Sequence, residues 1–319
     1  MSGPVLAFVE TTDGAPSRGS AQALTAARAL AEGLGTEVEA VAIGEAAIVA
    51  ARFASRVHRL PEPDRDGADA RVRLLHGVLG ATGAAALVTA GTRSGLAIAP
   101  RVAVRSQGAY LEEATRLSVE DGAVVGERLT QLQRVTERIR AEASPVVVTV
   151  KAGAFDEAAP GDADGEVVDL DPGGDASMDG RVETRPHQGG TGAAAALDEA
   201  DVVVAGGRGL GSAEAFAERV VPLAERLGAA IGATRAVVDA GWRPYGEQIG
   251  QTGRTVAPTV YLALGVSGAV QHLSGMNRSR FIVAVDTDPD APIFEHCDVG
   301  VVADVHEVVP KLLEELEAN

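Results

Sequence analysis

The chain has 319 residues, 46% of them hydrophobic, and a net charge of −17. That length allows about two domains, and the acidity argues against nucleic acid or an anionic membrane surface as the main partner, because phosphates would be repelled. One cysteine, Cys297, excludes an internal disulfide and a multi-cysteine metal site; no apolar run approaches a membrane span and Met1-Ser-Gly-Pro is no secretory signal, so a cytoplasmic protein is expected.

Val5–Val9 is a short apolar run that reads as a buried strand, and alanine-rich 17–34 as a helix closed by Gly33 or Gly35. Strands at 38–43, 56–60 and 85–90 then alternate with helices at 46–54, 66–79 and 95–104. Such alternation implies a mostly parallel sheet covered on both faces. After Gln107 the rhythm changes. Segments 112–119, 123–125, 136–140 and 145–150 read as strands, with Glu120-Asp-Gly122 as a hairpin turn, and an antiparallel extension of one sheet edge is expected. Residues 131–138 fit a helix as well.

Residues 156–190 are rich in Asp, Gly and Pro and poor in large apolar residues, so they read as an exposed linker between a domain at 1–155 and a domain at 191–319. Beyond it come strands at 202–205, 229–231, 259–264, 281–285 and 299–302, with helices at 212–227 and 307–317. The fold class expected is α/β in two domains, each a mostly parallel sheet with helices on both faces. The second is doubly wound, with its ligand at the carboxyl ends of the strands.

Two glycine-rich turns in the second domain carry polar side chains: Gln248-Ile-Gly-Gln-Thr-Gly-Arg254 and Gly265-Val-Ser-Gly-Ala-Val-Gln-His272. Glycine lets the backbone approach a ligand closely, and a helix that starts after such a strand offers free N–H groups to a phosphate. The common fingerprints fail. The dinucleotide pattern begun at Gly207 meets Ser212 at its last position, the chain has only Lys151 and Lys311 for a phosphate-binding loop, and Gly265-Val-Ser-Gly-Ala269 ends in alanine where a hydrolase elbow needs glycine. Motif logic alone therefore stops at a phosphate-bearing ligand. Gly206-Gly-Arg-Gly209 at a strand end is either a tight turn or an anion contact.

Five pieces in series, GGRGL (206–210), ATRAVVDAGW (233–242), IGQTGRTVAP (249–258), GVSGAVQHLSGM (265–276) and DTDPDAPIF (286–294), resemble the flavin domain of the electron transfer flavoprotein α subunit. The resemblance covers about the last 120 residues strongly and the first domain more loosely. It implies an FAD-binding α subunit paired with an electron transfer flavoprotein β subunit. In that family the carrier takes electrons from soluble flavin dehydrogenases, acyl-CoA dehydrogenases of fatty acid β-oxidation among them. It passes them to electron transfer flavoprotein-quinone oxidoreductase.

By resemblance, His272 is the donor beside flavin N1 and C2=O, where a donor or cation raises the potential. Thr252 gives its hydroxyl to the N5 region, Arg235 lies over the ring, Ser267 and the Gly268 N–H hold pyrophosphate or ribityl oxygens, and Arg208 meets the phosphates or the adenosine. Thr234, Gln248, Gly250, Gln251, Gly253, Gly265 and Gln271 complete the cofactor-binding set. Asp286 and Asp304 follow the last two strands, where a carboxylate commonly takes ribose hydroxyls. The family usually has Asn in place of Asp286, and an ionised aspartate only accepts. No metal-ligand spacing or acid–base pair is expected, as suits a carrier without a substrate of its own. Two other roles stay open: a subunit of an electron-bifurcating flavoprotein using NADH, and an adenine-nucleotide-binding module without redox function.

Overall fold

The structure, a computed structural model, describes residues 3–63, 67–131, 133–172 and 197–318. It divides into two compact units, Met1–Pro186 and His187–Asn319.

In the first unit, β1 (Val5–Phe8), β4 (Val38–Ile43), β5 (Arg56–Leu60), β6 (Ala86–Ala90), β7 (Ala109–Ala114), β11 (Val146–Val150) and β12 (Glu166–Asp169) form one sheet in the order β12-β5-β4-β1-β6-β11-β7. Every pairing in it is parallel. β1 is apolar at every position because both faces are covered. Val5 and Ala7 pack under α1 (Arg18–Leu34) and α2 (Ala46–Ala50), whereas Leu6 and Phe8 pack under α3 (Ala68–Thr82) and α4 (Arg93–Arg105). Ser17 caps α1 by accepting from the Ser20 N–H at 3.2 Å, and Gly35 ends it in the left-handed region at φ 64. A small antiparallel pair, β2 (Thr11–Thr12) and β3 (Ala15–Pro16), leads into α1.

Two expectations need correction here. The strand expected at 112–119 is split. β7 stays parallel to β11, the backbone breaks from regular strand geometry at Glu113 (φ 44), and the chain turns away after Ala114. The antiparallel strands β8 (Arg116–Glu120), β9 (Ala123–Thr130) and β10 (Val135–Arg140) are then a separate three-stranded sheet. The Asp121-Gly122 turn, with φ of 50 and 75, closes the β8–β9 hairpin as expected, and β10 makes 135–138 strand, not helix. The second correction concerns the linker. Within 156–172, β12 pairs with β5 and completes the sheet edge. Val167 and Val168 are half-buried, while Glu166 and Asp169 are paired with Arg56 and Arg59. Residues 173–190 lie outside the described residues.

The second unit has β13 (Val202–Gly206), α5 (Ala213–Leu227), β14 (Ala230–Ala233), α6 (Arg235–Asp239), β15 (Val260–Leu264), α7 (Val270–Leu273), β16 (Phe281–Asp286), β17 (Val299–Val302) and α8 (Val305–Ala318). The strands lie parallel in the order β14-β13-β15-β16-β17. Phe216 and Val220 of α5 and Val305 and Val309 of α8 fill the core on one face. Ile249, Val256, Tyr261 and Leu273 fill the other. From β13 the chain goes outward to β14 and then crosses to β15, on β13's other side. This reversal opens a crevice beyond the carboxyl ends of β13 and β15, the place where open α/β sheets bind ligands. Among the described residues no helix is long and apolar enough to cross a membrane.

Candidate functional site

A cavity of about 740 Å³ lies in that crevice, within the usual range for cofactor sites. Gly207, Arg208 and Gly209 wall it after β13; Thr234, Arg235 and Asp239 after β14; and Gly265, Ser267 and Gly268 after β15. Gln248, Gly250, Gln251 and Thr252 contribute from the long loop before β15, Gln271 and His272 from α7, and Asp286 from the end of β16.

The two strand-end turns touch backbone to backbone. Gly207 N–H donates to Leu264 O at 2.9 Å and Gly209 N–H to Gly265 O at 3.0 Å. A Cβ on Gly207 would run into the Gly265 carbonyl, and Gly265 itself sits at φ 62, so neither position admits a side chain without moving the other turn. α7 is only four residues long, so the anion affinity expected of a helix start comes down to individual N–H groups, not a macrodipole.

Gln248 is buried, and its Nε2 donates to Thr252 Oγ1 at 3.0 Å. The phenol of Tyr245 donates to the Thr252 carbonyl at 2.5 Å. Thr252 keeps its own O–H hydrogen, so its side chain is able to donate to an acceptor. Arg235 is exposed and pairs with Asp239 one helical turn on, Nε to Oδ2 at 3.2 Å. Such a surface pair is worth about 0.3–0.5 kcal/mol and gives way readily to a ligand.

His272 differs from expectation. It is 5% exposed, and both ring nitrogens already have partners: Nδ1 lies 3.1 Å from Ile249 O and Nε2 lies 2.8 Å from the Tyr261 hydroxyl. A carbonyl only accepts, so Nδ1 carries the hydrogen. Burial pushes the imidazole down to about 4 from its ordinary 6.5, against a smaller upward pull from the Ile249 carbonyl. The ring is therefore neutral at pH 7, and its Nε2 accepts from Tyr261. Burial likewise raises the Tyr261 phenol above its ordinary value of 10.0, keeping it protonated.

Two expected contacts do not reach the cavity wall. Gly253 lies behind the turn, where its N–H donates to Gly250 O at 2.9 Å, and it lies tight against the Gln248 backbone. Asp304 caps α8, accepting from the His306 N–H at 2.8 Å. Asp286 is on the wall, but one oxygen accepts from the Asp288 N–H at 3.0 Å. Asp239 and Tyr261 were not expected at the site. Asp239 stands four residues after Arg235, a helical spacing that foretells the pair. Tyr261 sat in a run read only as apolar strand, although a buried tyrosine hydroxyl needs a partner.

Residues 196–277 match the family described as the electron transfer flavoprotein FAD-binding domain, and residues 5–173 match the electron transfer flavoprotein domain. The chain is 38% identical to the electron transfer flavoprotein subunit alpha of Mycobacterium leprae, covering 98% of each protein. It is 40% identical to that of Mycobacterium tuberculosis over 99% of this chain and 98% of the relative. With the protein of the same name from Bradyrhizobium diazoefficiens the identity is 53% over 38% of each. The fold, the crevice and these similarities converge: the chain belongs to the electron transfer flavoprotein α-subunit family.

Proposed function

We propose that this chain is the FAD-binding α subunit of a heterodimeric electron carrier. It works between soluble flavin dehydrogenases, acyl-CoA dehydrogenases among them, and a quinone reductase of the respiratory chain. The observation that carries the proposal is the crevice between β13 and β15, where two glycine turns in backbone contact border a cavity of about 740 Å³. A dinucleotide needs this close backbone approach beside its pyrophosphate, and two arginines, Arg208 and Arg235, supply positive charge there in a chain of net charge −17.

Bound FAD supplies reversible one- and two-electron chemistry. The chain's part is to hold and tune it. Ser267, Gly268 and Arg208 would hold the pyrophosphate side, and Asp286 would accept from a ribose hydroxyl with its second oxygen. Thr252, held by Gln248, would donate to a ring nitrogen. Arg235, released from Asp239, would offset negative charge on the ring. The first unit is the surface for the β subunit in this reading.

The test is to co-express the chain with its β partner, purify the pair, record its absorbance spectrum and identify the released nucleotide. A yellow protein that yields FAD and is reduced by an acyl-CoA dehydrogenase with its substrate is expected. A colourless pair that cannot be loaded with FAD refutes the proposal.

A further inference from the structure

The His272 ring forms part of the cavity wall, yet both of its nitrogens face protein groups. Tyr261, on β15, is fully buried, and its hydroxyl lies 2.8 Å from Nε2. A buried polar group left without a partner costs about 1–3 kcal/mol. A buried imidazole that changes its protonation state therefore needs neighbours that suit both states.

The two neighbours divide that task. The Ile249 carbonyl accepts from Nδ1–H whether the ring is neutral or charged, so this bond is indifferent to the change. Nε2 is the nitrogen whose role reverses, from acceptor to donor. A hydroxyl is the one uncharged side-chain group here that both donates and accepts by simple rotation. We propose that Tyr261 is the positioning residue that allows His272 to take up a proton in the cavity wall. Its hydroxyl donates to Nε2 while the ring is neutral and turns to accept from Nε2–H once the ring is charged.

The proposal rests on the flavin reading of the cavity, because negative charge arriving there is what draws the proton. The proton comes from solvent water and goes to Nε2, so one positive charge is added beside one negative charge and no bond between heavy atoms changes. The other charged groups bordering the cavity are Arg208, Arg235, Asp239 and Asp286. Behind it, Glu247 is tied to Arg243, and Arg254 to Asp198. α7 itself holds no other titratable residue.

Tyr261→Phe deletes only the hydroxyl. A hydroxyl that merely capped the neutral ring would, on removal, let the pKa of His272 rise. A hydroxyl that serves both states supports the charged ring more, since charge-assisted bonds are roughly twice as strong as neutral ones. Its removal must therefore lower the pKa.

The experiment is an NMR titration of ¹⁵N-histidine-labelled αβ pair, wild type and Tyr261→Phe, free of flavin and loaded with oxidised or reduced FAD. The pH dependence of the flavin midpoint potential is measured alongside. Expected results are a protonated Nδ1 and a bare Nε2 in the ligand-free wild type. Flavin reduction should raise the His272 protonation constant about a thousandfold or more, enough to carry a ring that titrates at about 4 to protonation near neutral pH. In the variant that constant should fall about threefold or more, with a weaker pH dependence of the potential. A rise of the constant in the variant, or an unchanged pH dependence, overturns the proposal. A protein that takes up no flavin overturns the reading of the cavity. The ligand-free titration still decides the role of Tyr261 by the sign of its shift, and variant folding is checked by its unfolding midpoint.

Discussion

The loop that carries Gln248 and Thr252 is entered through the Arg243–Glu247 ion pair, whose removal has a calculable cost. Arg243 Nε and Nη2 donate to the two Glu247 oxygens at 2.6 and 2.7 Å. Glu247 is 2% exposed, the Arg243 side chain 24%, and the guanidinium lies 5.4 Å from the centre of the Phe216 ring. Breaking a fully buried pair costs about 3–5 kcal/mol, mostly through the charge left behind. In Glu247→Gln one acceptor survives and water reaches part of Arg243, so a loss of about 2 kcal/mol is expected. The single tryptophan, Trp242, adjoins Arg243 and reports unfolding of this unit by its fluorescence. At ordinary denaturant sensitivities the urea midpoint should fall by about 1 M. Replacing both partners, Arg243→Met with Glu247→Leu, should restore most of the loss, because an apolar pair leaves no charge unpaired. The reasoning is refuted if the single variant stays within about 0.5 kcal/mol of wild type, the usual size of an inconsequential surface change. It is equally refuted if the double variant is no more stable than the single one.

His272 makes stability pH-dependent. Its folded-state value of about 4 lies below the ordinary 6.5, so between them the unfolded chain binds more protons and stability rises with pH. The benefit of the neutral ring is complete above the ordinary value and is lost, by roughly 3 kcal/mol, as pH falls through the folded one. His272→Gln should flatten that part of the ligand-free stability curve in urea titrations, and an unchanged slope would count against the buried neutral ring. Arg235→Ala should leave the unfolding midpoint within about 0.5 kcal/mol of wild type, as its ion pair is exposed, but lower the flavin potential in a stepwise reduction; an unaltered potential removes Arg235 from the tuning role. Gly207→Ala should weaken FAD uptake on the order of tenfold or more by forcing the two turns apart, at about 1–3 kcal/mol of overpacking. Wild-type binding by fluorescence titration would show that the turns yield. Asp286→Asn removes a negative charge and adds a donor at the cavity, so FAD should bind about twofold tighter or better, the worth of one screened charge; weaker binding would mean that the carboxylate accepts an essential bond.

Much of this protein was legible in the chain itself because the signals are local. Apolar runs such as Val146–Val150 and Val260–Leu264 read as strands without any knowledge of their neighbours. Asp121-Gly122 read as a turn because glycine tolerates its backbone angles. The glycine turns at 206–209, 248–254 and 265–268 announced a ligand site because each follows or precedes a strand end within a few residues. What remained hidden depends on groups far apart in sequence. β12 is masked by the Asp, Gly and Pro around it, and it becomes a strand only because β5 offers an open edge and two arginines to its carboxylates. Asp304 resembled a ribose contact, yet it lies off the cavity wall, with one oxygen accepting from the His306 N–H. Burial keeps the His272 ring neutral, and a carbonyl 23 residues away with a hydroxyl 11 residues away fixes which nitrogen carries the hydrogen. Pattern and glycine placement thus determined the strands, the turns and the general place of the cavity. Only tertiary packing decided which hydrogen-bonding groups at that place are free and which are already taken, because burial and long-range partners, not local sequence, set the state of a side chain.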